Sequence, residues 1–573
     1  MGTGEGRMRI LIALAAAAFV IVFLRLVYIQ VVDGPRLAKR AEDRRTNVVT
    51  LNAKRGTIYD RNGNVLAISV DCKDIVCDPT TVMKTVKNEK GKTSQTTDGA
   101  ADDIADVLVE VLGGDRDTYL EALTRMGTRY AYLSKRVDVS KADQVAQELS
   151  DKGLSGVYYE SNTKRVYPYG TTCAQILGYV NQDGAALSGL EYYYDDVLKG
   201  SDGQRVYEAS RNGTPIAGGV SDTIAARNGT DIVLSIDIDL QEECESIISE
   251  GAKTYEAESG SVMVTDPKTG EVYAAASTPL PDFSNLTDAS ALNLKLVSDS
   301  FEPGSVFKVL TTSIGLETGT LTKDITFNIP AEVLVGDDVV HDDDNRDYSE
   351  DMTVEQALAK SSNVAMAYYV QNVIGSKNFA DGVQKFGIGQ KTGIDFPGEA
   401  AGIVRGYDDY DGSTAGSMAF GQSLAIPLVQ IVRAFGAVAN DGVPTTPHFL
   451  VSKGGDEVDW PVGERIISKQ TADTETEMMR AVMTDGTGVN GAIGGYDIAG
   501  KTGTGEQADE NGGYKEAHFV ASLCGFANAE DPQVLVYVGL NGIPYLASDS
   551  AANVFRDVME QSVTILGIAP SAS

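Results

Sequence analysis

A chain of 573 residues has room for about three or four domain-sized units, and 42% hydrophobic residues permit a large buried core. A formal net charge of −33 repels a phosphate backbone, and no basic groove stands out in the sequence. Nucleic acid is therefore set aside as a partner.

Ile10 to Leu24 is an unbroken apolar run, interrupted by Arg25 and continued by Leu26 to Val32. Together they reach the length of a bilayer crossing, about 20 apolar residues, with Arg25 free to snorkel toward an interface. The small residues Ala15 to Ala18 lie inside the run and not after it, unlike a cleavage site, so residues 10–32 read as an uncleaved transmembrane anchor behind a cytoplasmic tail, 1–9. Arg7 and Arg9 precede the anchor, whereas Arg36, Lys39, Arg40, Arg44 and Arg45 follow it; counting alone opposes export of the bulk. Long domains translocate largely regardless of such charges, and the motifs below call for chemistry outside the cell. The expectation is a single-pass membrane protein with an extracellular or periplasmic body.

Beyond the anchor, Val48 to Leu51 and Thr57 to Val70 read as short strands around the turn Asp60-Arg61-Asn62-Gly63-Asn64. Cys72 and Cys77, five apart in a strand, would face opposite sides about 16 Å from each other, so no bridge is expected between them. The remaining cysteines, Cys173, Cys244 and Cys524, are scattered. Lys84 to Asp103 is polar and reads as a flexible insertion. Asp102 to Ser150 carries helical periodicity with Leu108, Val111, Leu112, Leu120 and Leu123 as core candidates. A boundary falls near Ala225 to Thr230, dividing a mixed α/β module, 33–225, from a large α/β unit, 226–573. In that unit Gln241 to Tyr255 reads as a helix, and Ser261 to Thr265 and Glu271 to Ser277 as strands joined by a turn. His341, His448 and His518 are isolated, so neither a metal nor another cofactor is expected. The acidic loop Gly336 to Asp347 reads as solvated surface rather than a cation site.

Three short motifs carry the chemistry. Ser305 and Lys308 sit in Phe-Glu-Pro-Gly-Ser-Val-Phe-Lys, where Glu302-Pro303-Gly304 breaks the preceding segment and an apolar helical pattern follows. Residues three apart share a helix face, so a Lys308 amine can take a proton from a Ser305 hydroxyl. Ser361-Ser362-Asn363 follows a helical stretch, Thr353 to Lys360, and Lys501-Thr502-Gly503-Thr504 follows a strand-like one, Tyr496 to Ala499. Each motif alone is weak, as the chain shows with stray copies at Ser161 to Lys164, Lys268 to Gly270 and Lys391 to Gly393, read as turns and loops. A capping serine explains Ser305 alone, and a helix stop or polar cap explains Ser361 and Asn363. The order and the contexts together point to an acyl-transfer site.

With these motifs the chain resembles a class B penicillin-binding protein, a membrane-anchored peptidoglycan D,D-transpeptidase, and most of all its division-associated branch. Longer strings support the likeness: Arg55-Gly56-Thr57-Ile58-Tyr59-Asp60-Arg61-Asn62-Gly63, Arg165-Val166-Tyr167-Pro168, Gly189-Leu190-Glu191, Phe420-Gly421-Gln422-Ser423 and Ala499 to Thr504. The stretch from Tyr545 to Phe555 departs from the family pattern. The resemblance implies an α/β (α+β) fold: an anchor helix, a pedestal-like non-catalytic dimerisation module, and a transpeptidase domain with a central antiparallel sheet flanked by helices. It implies Ser305 as nucleophile, Lys308 as base, Ser361 as proton relay and Asn363 as holder of the donor amide. Lys501, Thr502, Gly503 and Thr504 bind substrate, with the Thr502 and Thr504 hydroxyls on its carboxylate and the Ser305 and Thr504 backbone N–H groups on the oxyanion. Implied partners are stem peptides ending in D-Ala-D-Ala, β-lactams, a polytopic glycan polymerase and other divisome proteins. A β-lactam-hydrolysing or β-lactam-sensing membrane protein, and a non-catalytic cell-wall scaffold, are the competing readings.

Overall fold

The strand Val534–Ile543 organises the larger unit. It is apolar at nearly every position because it is covered on both faces: Val534, Val536, Val538 and Leu540 point into one core, while Leu535 and Tyr537 point into another. A computed structural model describes residues 4–37, 39, 46–87, 92–208, 216, 221–282, 289–344, 346–508 and 514–571.

Val534–Ile543 lies in a five-stranded antiparallel sheet, in the order Val272–Ser277, Ser259–Thr265, Val534–Ile543, Tyr514–Ala527, Ile498–Ala508. The sheet's period of two sorts the neighbouring strand the same way, Val262 and Val264 to one side and Met263 to the other. Helices Ile238–Thr254 and Ala551–Ile565 pack on the first face. The second face covers a largely helical region that includes Lys308–Glu317, Asn363–Tyr369, Val429–Ala439 and Lys469–Thr484. The predicted strands at 261–265 and 271–277 and the helix at 241–255 are all present.

The N-terminal module is built on Val65–Cys77, which pairs antiparallel with Val157–Val166 and with Ala131–Asp138. Helices Ala100–Leu112, Arg116–Thr124 and Val139–Asp151 close its core through Ile104, Leu108, Leu123 and Val145. Here the sequence expectation needs correction three times. The helical window contains a strand, Ala131–Asp138, between its helices, and the supposed flexible insertion is largely ordered. Met83–Lys87 pairs with Thr93–Thr96 as an antiparallel hairpin, and the helix begins at Ala100; residues 88–91 lie outside the described residues. The stray copy Ser161 to Lys164 lies within the strand Val157–Val166 rather than in a loop. All five cysteines are buried and free.

The two units share a sheet. Ile58–Tyr59 pairs in parallel with Ile232–Leu234, which pairs in turn with Leu450–Lys453. The turn after Tyr59 docks beside the first long helix of the larger unit: Arg61 N donates to Ile236 O at 3.0 Å, and Asn62 Nδ2 to Asp237 Oδ2 at 2.9 Å. Underneath, a buried ion cluster ties three of the longer strings together. Arg55 Nε and Arg165 Nε donate to the two carboxylate oxygens of Glu191 at 2.5 and 2.6 Å, and Arg165 Nη1 donates to Gly56 O at 2.7 Å. N-terminally, Gly6–Val32 is long and apolar enough to cross a membrane.

Candidate active site

Ser305 lies in a single 3-10 turn, Gly304–Phe307, that runs directly into helix Lys308–Glu317. Its side chain is not used as a helix cap. The turn is set by a close backbone approach: Gly304 N donates to Gly421 O at 3.1 Å, and a Cβ on Gly421, whose φ is +85°, would sit 2.1 Å from Gly304 O. That contact gives the Phe-Gly-Gln-Ser string a physical role. On the other side the edge strand Ile498–Ala508 presses in, and a Cβ on Gly304 would meet Gly505 N at 3.0 Å.

The three motifs converge. Lys308 Nζ donates to Ser361 O at 2.5 Å and Asn363 Oδ1 at 2.7 Å, and lies 3.1 Å from Ser361 Oγ. Lys501 Nζ lies 3.0 Å from the same Ser361 Oγ and donates to Thr502 O at 2.9 Å. Both lysines are fully buried, and Ser305 is 8% exposed. The Lys308 amine hydrogen-bonds to Ser361 and Asn363 and not to the Ser305 hydroxyl. Direct contact between Ser305 and Lys308, expected from their spacing, is thus replaced in this state by a tighter hold from the second motif.

Burial pushes the Lys308 amine down to about 7, against the carboxylates of Asp342 and Asp343, which pull it upward. Lys501 is pushed well below the usual lysine range, first by burial and second by the charge of Lys308, with Asp343 opposing. Two ammonium groups on one hydroxyl repel, so the cluster favours a neutral amine beside Ser361.

The second motif has a local cause. Ser361 adopts φ +60°, and Ser362 caps helix Asn363–Tyr369 by accepting from Ala365 N at 2.9 Å, which aims Asn363 at Lys308. The capping role foreseen for this segment falls on Ser362. Asp342 underlies the turn, accepting from Ser362 Oγ at 2.7 Å and Val364 N at 3.0 Å. The acidic loop is therefore not simply solvated surface, since Asp342 and Arg346 are both buried. Among the described residues no cluster of His, Cys, Asp and Glu is placed to hold a metal ion.

On the edge strand, the Thr502 hydroxyl shares a 2.5 Å hydrogen bond with that of Thr487, and Thr504 Oγ1 accepts from Ala547 N at 3.3 Å. Thr487 and Ala547 escaped the sequence reading, although the divergent stretch from Tyr545 marked the second. A cavity of about 500 Å³ opens beside Ser361, with Asp343, Thr487, Asn490 and Ser548 in its wall.

A serine on a helix-opening turn, a glycine-bearing edge strand and two buried amines between them bring together the kinds of group that serine acyl transfer needs. The model of the penicillin-binding protein transpeptidase domain matches residues 260–560, and that of the penicillin-binding protein dimerisation domain matches 50–234. Penicillin-binding protein PbpB of Mycobacterium tuberculosis is 31% identical over 97% of this chain and 83% of its own. A crystal structure from Atopobium parvulum, provisionally named a peptidoglycan glycosyltransferase, is 44% identical with a TM-score of 0.71, covering 91% of this chain and 100% of that one. Penicillin-binding protein 3 of M. tuberculosis, solved with aztreonam, is 26% identical with a TM-score of 0.67, covering 91% and 98%. The chain belongs to the class B penicillin-binding proteins, the peptidoglycan D,D-transpeptidases.

Proposed function

We propose that residues 226–573 crosslink peptidoglycan stem peptides outside the cell through an acyl-enzyme on Ser305, held at the membrane by residues 10–32 and raised above it by the module at 33–225. Ser305 Oγ attacks the carbonyl of the penultimate D-Ala and passes its proton to neutral Lys308 Nζ. The tetrahedral oxyanion is met by the backbone N–H groups of Ser305 and Thr504, a donor type commonly worth about 3 to 4 kcal/mol. The C–N bond then breaks, and a proton relayed from Lys308 through Ser361 leaves with the terminal D-Ala amine. Asn363 holds the donor amide, and Thr502 and Thr504 hold the terminal carboxylate. In the second half, the amine of another stem peptide attacks the ester; its proton returns through Lys308 to Ser305 Oγ as the new amide forms. β-Lactams acylate the same oxygen, and their opened ring stays attached, blocking the second half.

The observation that carries this reading is the joint approach of Lys308 and Lys501 to Ser361 Oγ, at 3.1 and 3.0 Å, on the turn-and-edge-strand scaffold that bears Ser305. The N-terminal anchor and the Lys-Thr-Gly-Thr pattern favour the division-associated branch, with a polytopic glycan polymerase and divisome proteins as partners. The test is exchange on a donor peptide ending in D-Ala-D-Ala, with a labelled D-amino acid as acceptor. The label enters the peptide with wild type and not with Ser305→Ala. Release of the free acid without exchange speaks for a hydrolase, and activity that survives Ser305→Ala contradicts the assignment.

A further inference from the structure

Ser361 holds its left-handed conformation without being glycine, a state that persists only where the surroundings over-determine it. Ser361 N donates to Leu358 O at 3.1 Å and Ser362 N to Ala357 O at 2.9 Å, closing the preceding helix, and the residues that follow are held by one buried carboxylate. Asp342 Oδ2 accepts from Ser362 Oγ at 2.7 Å and from Arg346 Nη2 at 3.1 Å, while Oδ1 accepts from Val364 N at 3.0 Å. Arg346 is itself pinned, donating through Nη1 to Ile329 O at 3.1 Å and Tyr348 O at 2.8 Å. The path from Ile329 to the reacting groups thus runs through Arg346, Asp342 and the turn at 361–364.

We propose that Asp342 is a positioning residue for the acyl transfer: its carboxylate, locked by Arg346, fixes the turn that presents Ser361 and Asn363 to Lys308. The inference rests on the acyl-transfer reading above and adds to it a residue outside the three motifs. Asp342 touches none of the reacting atoms; it acts through Ser362 and Val364 and through its charge. The charged groups that act on Lys308 are Asp342 and Asp343 from the loop before Glu350–Thr353 and Lys501 from the edge strand. Of these, Asp342 is the strongest influence opposing burial. One side chain therefore sets both where the relay sits and how readily its amine holds a proton.

The rate of acylation by a labelled penicillin, followed against pH with the full chain, separates these roles from mere stability. Asp342→Asn leaves Arg346 facing an amide and removes the charge. It lowers the plateau rate about tenfold or more, as loss of positioning does, and moves the acid-limb midpoint about one pH unit down, because the ammonium form loses its nearby anion. Asp342→Glu keeps the charge with a longer reach; its plateau falls about tenfold while its midpoint stays within about 0.3 of wild type. An Asp342→Asn enzyme with an unmoved midpoint overturns the proposal. Should that variant not fold, an Asp342→Glu plateau equal to wild type overturns it. Wild-type protein that takes no label at any pH contradicts the acyl-transfer reading itself, an outcome separable from both.

Discussion

Lys308 and Lys501 reach the same atom. From the start of a helix and from the edge strand, they place their Nζ atoms 3.1 and 3.0 Å from Ser361 Oγ, with both side chains fully buried. Two buried amines on one hydroxyl can share protons but repel each other when both are charged. That relationship is what the proposed role of Lys308 as base near neutral pH rests on.

The first prediction concerns pH. Lys308 is lowered to about 7, and the base must be neutral, so acylation falls about tenfold per pH unit below that midpoint and levels off above it. Lys308→Arg removes the limb altogether, because a guanidinium stays charged; the rate drops by about 10² to 10⁴. Stopped-flow acylation with a chromogenic β-lactam, measured across pH 5 to 9, checks both.

Glu475 lies fully buried against helix Lys308–Glu317, where its Oε1 accepts from Thr312 Oγ1 at 2.7 Å, and burial raises its carboxyl to about 8. An acid raised in the folded state holds a proton that the unfolded chain has already lost. Its contribution is therefore fully favourable only below the unfolded value near 4.5 and is eroded as pH rises toward 8. Glu475→Gln removes that erosion. The variant's Tm advantage over wild type should widen from pH 5 to pH 8, and a constant difference contradicts the assignment.

Glu191 bridges two guanidinium groups, those of Arg55 and Arg165, whose side chains are 8% and 3% exposed. Replacing it with Ala leaves Arg165 buried without its anion and Arg55 with Asp195 alone, a change expected to cost about 3 to 5 kcal/mol. Denaturant unfolding of the soluble portion shows this as an earlier first transition, and labelling of Ser305 in still-folded protein is retained.

Gly421→Ala places a methyl group 2.1 Å from Gly304 O at a backbone φ of +85°. No rotamer relieves that clash, so the turn carrying Ser305 must shift. Acylation is expected to fall about 100-fold or more, as a displacement of about 1 Å does, with a lesser effect for Gly436→Ala, where a Cβ has open space within 4 Å.

Much of this molecule was legible from sequence because the decisive signals are local. Pro303 and Gly304 before an apolar helix placed Ser305, and the strands at 261–265 and 271–277 announced themselves by their apolar runs and the turn between them. Ala131–Asp138 was hidden because its alternation, with Ala131, Leu133 and Val137 inward, lies between two helices whose periodicity dominates the window. The hairpin at 83–96 reads as flexible chain in sequence because its exposed strands need few apolar residues. Asp342 escaped notice because one buried carboxylate in an acidic run cannot be told from its solvated neighbours by composition; Arg346, four residues on, was the available clue. Thr487 and Ala547 meet the edge strand only through tertiary contact.

The most direct test of the central claim is intact-mass and peptide mapping after incubation with a penicillin. The account predicts one stable adduct, mapped to the peptide bearing Ser305 and absent from Ser305→Ala. An adduct that persists in that variant, or one that maps to Ser361, contradicts it.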